Sequence, residues 1–161
     1  MREPPVVLTV AIVSTATVVA AACLGNGGSM LVVEDLTHRR VLHRAPVAPG
    51  QSLVVSYVHS SEHVAVRGTF VVEADGTLRV EETAFAGFGP GLPEPKTGEA
   101  WHREDGMIVV PAAGERLAEL RLRVGPITHH RLRTPSGEDL DLSTLLGAGG
   151  SARISVTPQP R

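Results

Sequence analysis

Between residues 64 and 73 the side chains alternate. Val64, Val66, Phe70 and Val72 fall on one parity, and Arg67, Thr69 and Glu73 on the other. Successive residues of an extended strand point to opposite faces, so this spacing sets an apolar row against a core and a polar row toward water. Asp75-Gly76 comes next, a pair whose backbone preferences suit a tight hairpin turn, and the following TLRVEET resumes the extended pattern.

The same signal recurs along the chain. Met30–Glu34, Arg40–Arg44, Ser52–Val58, Met107–Val110, Leu120–Val124, Ile127–Arg133, Asp139–Leu142 and Ser151–Thr157 are expected strands. Asp35-Leu36-Thr37, Pro49-Gly50 and Pro135-Ser136-Gly137 are turn-prone breaks between them. A short helical turn is expected at Ser143–Leu146, with Gly147 as its stop. The chain has 17 glycines and 12 prolines, which favour turns over long helices. One strand every roughly 8–12 residues predicts an all-β domain, a small β-sandwich or barrel of mainly antiparallel strands. The exception is AGFGPGLPEPKTGEAWHREDG, residues 86–106, which has no period. A loop of that length in a compact domain is often functional, and Trp101 and His102 within it are candidates to line a pocket or pack over a sheet edge.

Residues 6–24 read VVLTVAIVSTATVVAAACL and carry no charge. As a helix rising about 1.5 Å per residue, such a run nearly matches a bilayer core. Three readings follow: a secretory signal with Ala20-Ala21-Ala22 before the cleavage point, a retained anchor, or a lipoprotein signal with Cys23 as the acylated residue. The expected organisation is a signal or anchor and spacer over 1–28, then one extracytoplasmic β domain over 29–161. The protein is expected to be exported, tethered to the membrane or free outside it. Cys23 is the single cysteine of 161 residues, so the β domain has no disulfide and no thiolate ligand. A formal net charge of −2 gives no footprint for nucleic acid.

His59-Ser60-Ser61-Glu62-His63 matches the zinc-peptidase pattern H-x-x-E-H. That pattern works on a helix, where residues four apart share a face and both imidazoles reach one metal. Here VVSYV and VAVRGTFVV flank it, both strand-like, and Ser60-Ser61 prefers turns. On a strand His59 and His63 would lie about 13 Å apart. A metal reading needs a tight turn and a third ligand such as His129, His130 or a distant carboxylate; the expectation is instead a polar corner with Ser60 or Ser61 capping backbone amides. Ser60 makes a poor nucleophile beside His59, with no G-x-S-x-G elbow. His129-His130 on a strand would send one ring inward, as a hydrogen-bonded core histidine, and one outward. No catalytic residue and no cofactor is assigned.

SYVHSSE, then FAGFGPGLP, a later DG before a strand and a late H-x-L together resemble the bacterial family called domain of unknown function 1850. The residues that carry the resemblance are Tyr57, His59, Ser60 and Glu62, then Phe88, Gly89, Gly91, Leu92 and Pro93, then His130 and Leu132, within a span from about Met30 to Val156. Arg67 stands where the family tends to be acidic, and Pro90 where a small residue is usual. The resemblance implies no established activity. It implies a neighbourhood with tripartite ATP-independent periplasmic (TRAP) transporters of the TAXI type. It marks Tyr57, His59, Ser60, Glu62, Phe88, Gly89, Gly91, Pro93 and His130 as candidate partner- or ligand-contacting residues. Three functions compete: a non-enzymatic accessory of a membrane transporter, a small-ligand module with its pocket under FGPGLP, and a metal-binding protein or enzyme using His59, Glu62 and His63.

Overall fold

The computed structural model describes residues 28–87, 92 and 100–158. The apolar run expected to be an N-terminal helix, Cys23, and the loop residues Phe88, Gly89, Gly91 and Pro93 lie outside the described residues. The elements are β1 (Ser29–Asp35), β2 (Arg40–Val47), β3 (Ser52–Val58), β4 (Ala65–Val72), β5 (Leu78–Phe85), β6 (His102–Glu104), β7 (Met107–Pro111), β8 (Arg116–Leu117), β9 (Glu119–Arg123), β10 (Arg131–Arg133), β11 (Asp139–Asp141), α1 (Leu142–Leu146) and β12 (Ser151–Pro158). The all-β expectation holds, and every strand pairing is antiparallel.

The strands form two sheets. One has four strands in the order β2-β1-β12-β9; the other runs β11-β10-β3-β4-β5-β7-β6, with β8 paired to β5. The alternation read from the sequence decides which side chains face inward. Leu31, Val33, Ala152 and Ile154 of the smaller sheet meet Leu53, Val55, Val72, Leu78 and Leu132 of the larger one in a shared core, closed by Leu142 and Leu146 of α1. Asp141 caps α1 by accepting from the Thr144 amide at 2.9 Å, and Gly147 ends it at φ 71°.

The larger sheet is wider than the smaller one and overhangs it. On the overhang, Val66, Phe85, Ile108 and Val110 form a second cluster that contains no residue of the smaller sheet. Leu92, from the aperiodic segment after β5, is buried in it, with Tyr57 and Val64 packed alongside. The long loop therefore has a structural task, which is to supply an apolar side chain where the opposite sheet runs out.

Two strands escaped the sequence pattern. β6 is three residues long and wholly exposed, so it shows no alternation; it pairs with β7 across Asp105-Gly106. β8 is a two-residue strand. The expected strand Ile127–Arg133 is corrected to Arg131–Arg133. Pro126 lacks an amide proton and fixes its φ, so the chain reverses at Gly125–Thr128 and cannot start a strand there.

Candidate functional site

The connectivity sorts the turns to two ends. β1 begins and β12 finishes at one end, since Ser29 pairs with Pro158. The turns after β2, β4 and β10 and the approach to β8 lie at that end too. The β1–β2 turn, the β3–β4 turn with HSSEH, the exit of β5, the β6–β7 turn, the β9–β10 turn and α1 lie at the other, here called the motif end.

HSSEH is a turn, neither a strand nor a helix. The His59 amide donates to the Val64 carbonyl at 2.8 Å, and the His63 amide to the His59 carbonyl at 2.9 Å. His59, rather than a serine, caps the turn: its Nδ1 accepts from the Glu62 amide at 3.4 Å and lies 3.2 Å from Ser61 Oγ. Side chains in a turn do not alternate, so the strand spacing of His59 and His63 does not apply. Ser60, Glu62 and His63 are exposed. Among the described residues no three His, Cys, Asp or Glu side chains are placed to hold a metal.

Tyr57 and His130 do come together. In sheet register His130 follows the Arg131–Ser56 pair and so stands opposite Tyr57. The two rings stack with centroids 5.1 Å apart and planes 13° from parallel. Thr128 Oγ1 accepts from the Gly125 amide at 2.9 Å and lies 3.1 Å from the Gly125 carbonyl and 2.8 Å from His130 Nδ1. A hydroxyl has one proton, so Thr128 donates either to the Gly125 carbonyl or to the ring, and the His130 tautomer follows from that choice. The main chain of His130 is clamped as well: its amide donates to Ser143 Oγ at 2.7 Å and its carbonyl accepts from the Ser143 amide at 3.2 Å. Burial lowers the His130 pKa and raises that of Tyr57, so both are neutral at pH 7. His130 is the satisfied core histidine of its pair and His129 is exposed, although a turn and not a strand separates their directions. Beside Tyr57 lies an apolar crevice of about 140 Å³, walled by Val55, Gly68, Phe70, Leu120 and Leu122. His59 and Glu62 do not line it.

One family matches residues 53–142, over half the chain: "Domain of unknown function (DUF1850)". The chain belongs to the DUF1850 family. No curated protein and no solved structure matches it.

The DUF1850 match is narrower than the span from Met30 to Val156 on which the resemblance was read. It starts in β3 and ends as α1 begins, and so takes in the larger sheet, β9 and the motif residues. β1, β2 and β12, three strands of the smaller sheet, lie outside it. Of the DUF1850 motif residues, Tyr57, Leu92, His130 and Leu132 are buried or packed in the interior, while Ser60 and Glu62 face solvent. Arg67, at the position where an acid was expected, lies 3.7 Å from Glu82 and 3.5 Å from Glu104. Trp101 is exposed beside β6.

Two residues of this end escaped the sequence reading. Thr128 organises the β9–β10 turn, and its only sequence signal is a hydroxyl two residues after Pro126. Asp35 is completely buried. Its Oδ1 accepts from the amides of Thr37 and His38 at 3.0 and 3.1 Å, and its Oδ2 from His38 Nδ1 and Arg40 Nε at 2.8 and 3.1 Å. The legible signal was an Asp followed at short range by several donors.

Proposed function

We propose that the protein is a non-enzymatic, extracytoplasmic accessory domain of a membrane transporter, with a TRAP transporter of the TAXI type as the assigned partner. The observation that carries the reading is how the motif's polar groups are used. Nδ1 of His59 caps its own turn and Nδ1 of His130 bonds Thr128, so both rings hold backbone in place and neither is paired with an acid. The uncharged run 6–24 supports an extracytoplasmic setting. Isolation of the full-length tagged protein from membranes of its own host in mild detergent is expected to co-recover transporter subunits. Recovery without any such subunit would sink the assignment.

A second reading rests on the crevice beside Tyr57. Its walls are apolar, so it suits a small apolar molecule. A ligand that binds only the folded state raises the melting temperature. A thermal-shift series of small aliphatic and aromatic compounds is expected to raise it for the full chain and not for a Gly68→Leu variant with the crevice filled. Equal shifts in both would exclude this site.

A further inference from the structure

The chain has two Asp-Gly pairs, Asp75-Gly76 and Asp105-Gly106. Each lies in the turn of a β-hairpin, the first between β4 and β5 and the second between β6 and β7. In such a pair the backbone nitrogen that follows the aspartate can reach its carboxyl, because glycine puts no Cβ in the way. The local sequence makes the two pairs alike, and the structure separates them.

At Asp75 both reacting groups are occupied. Its Oδ1 accepts from the Thr77 amide at 2.9 Å and from Thr77 Oγ1 at 2.6 Å, and its Oδ2 from Arg116 at 3.3 Å. The Gly76 amide donates to the Glu73 carbonyl at 3.0 Å. The Thr77 hydrogen bonds hold the Asp75 carboxyl below its ordinary range, as a carboxylate. A carboxylate has no hydroxyl to lose, so it resists attack by nitrogen. The turn also leans on the smaller sheet, since a Cβ at Gly76 would lie 3.3 Å from the Val156 carbonyl oxygen. It joins two eight-residue strands in the middle of the larger sheet and opens only with them.

At Asp105 neither group is held. Asp105 and Gly106 are exposed. Among the described residues the Asp105 carboxyl has no hydrogen bond or ion pair, and the Gly106 amide has no acceptor. A Cβ at Gly106 would meet nothing within 4 Å. Asp105 has φ 49°, a left-handed angle at which an L-residue is strained. β6 is three residues long, wholly exposed, and paired only with β7 at the edge of the sheet. Such a hairpin opens at much lower cost than the core does. Opening relieves the left-handed angle and lets the carboxyl meet the Gly106 nitrogen.

We propose that Asp105 is a modification site, at which the folded chain converts spontaneously to isoaspartate. The Gly106 nitrogen attacks Cγ of the Asp105 carboxylic acid. The N–Cγ bond forms, the Cγ–OH bond breaks, and the hydroxyl leaves with the amide proton as water. Water then opens the succinimide ring at either carbonyl. One opening restores aspartate, and the other leaves the main chain running through Cβ and Cγ. Water lost equals water gained, so the mass is unchanged and nothing is oxidised or reduced. The product adds a methylene to the main chain of a two-residue turn, and turn length sets the register of a hairpin. The Glu104–Met107 pair is then lost, and β6 leaves β7. Glu104 goes with it and no longer stands 3.5 Å from Arg67, which keeps Glu82.

The test is to age the full-length folded protein for several weeks in mildly acidic buffer made with heavy-oxygen water. Each ring opening leaves one solvent oxygen at the residue, which peptide mass spectrometry locates. Isoaspartate is scored as methyl transfer from S-adenosylmethionine by an isoaspartyl-specific methyltransferase. Both signals are expected at residue 105, about tenfold or more ahead of residue 75, as between an edge hairpin that opens locally and one held in the sheet. In urea the two sites are expected to convert at similar rates. Asp105→Glu, whose longer side chain closes a ring poorly, is expected to give no signal there. Amide exchange in the aged chain is expected to accelerate in β6 and at Met107 and to stay level in β4. No conversion at residue 105 in the folded chain, residue 75 level with it or ahead, a bias that persists in urea, or unchanged exchange in β6 after conversion would each overturn the proposal.

Discussion

Replacing Phe85 with alanine is expected to lower the unfolding free energy by about 3–5 kcal/mol, the range for truncating a buried phenylalanine. Phe85 is fully buried at the centre of the overhang cluster, in register between Val66 of β4 and Ile108 of β7. The cluster takes no side chain from the smaller sheet, so closing the space the ring leaves falls to Val66, Leu92, Ile108 and Val110. A domain of this kind has roughly 5–15 kcal/mol of stability in all, so the loss is a large share of it. Urea unfolding measures it directly.

The same variant tests what the loop after β5 is for. Leu92 is buried in the cluster that Phe85 centres. Truncation at Phe85 is expected to make residues 86–101 sensitive to protease under conditions where the rest of the domain stays folded. Leu53→Ala is the comparison: Leu53 is equally buried, but in the core shared by both sheets, away from Leu92. It is expected to lose comparable stability while loop cleavage merely tracks global unfolding. Identical loop cleavage in both variants at matched stability would show that Leu92 does not hold the loop.

The fold was legible wherever burial is one-sided and runs for several residues. Ser52–Val58 has the bounds read from the sequence, the Asp75-Gly76 hairpin joins β4 to β5, and Gly147 stops α1 as expected. Periodicity failed where pairing is made without burial. His102–Glu104 is an exposed edge strand and leaves no apolar imprint. It failed again at residues 127–130, where a proline-led turn carries enough β-branched and aromatic character to imitate a strand. The site was legible in its members more than in its geometry. Tyr57 and His130 were candidates and they stack, but the stack depends on a cross-strand register that no local window contains. Leu92 lay inside a stretch with no period at all. Asp35 was read only as part of a turn-prone break, and a buried carboxylate is rare unless paired. Here its own turn supplies the four donors, so burial becomes tolerable only in the folded arrangement.

That arrangement makes acid the most selective perturbant of the motif end. Burial by itself would raise the Asp35 pKa; the hydrogen bonds from the side chain and amide of His38 and from Arg40 outweigh it and bring the pKa from the ordinary 3.8 down to about 2. A carboxyl with a folded pKa below its unfolded value contributes stability in full above the unfolded value, and loses it as pH falls through the folded one. Stability is therefore expected to decline between about pH 4 and pH 2. Asp75 and Asp141, held below the ordinary range chiefly by hydrogen bonds from Thr77 and from the Thr144 amide, shift in the same direction. The Asp35 share is separable by mutation. Asp35→Ala removes the acceptor for two amides, one imidazole and one guanidinium, and is expected to lower the melting temperature at pH 7 by roughly 10 °C, as befits orphaned buried donors in a chain of this size. Asp35→Asn keeps an oxygen for the Thr37 and His38 amides but offers Arg40 a donor in place of a charge, so it falls between the two. Both variants are expected to flatten the acid limb of the stability curve. An unchanged acid limb in Asp35→Asn would mean that the carboxylate is not the group being titrated. The loss is also expected to be local at first. Arg40 reaches from Asp35 to the Leu145 carbonyl at 3.1 Å, and Ser151 donates to Thr37 Oγ1 at 3.1 Å, so the turn presenting His38 and Arg39 is tied to α1 and to β12 through residues that Asp35 orders. Amide exchange at Thr37, His38 and Ser151 should accelerate at pH 3 before exchange in the core strands does.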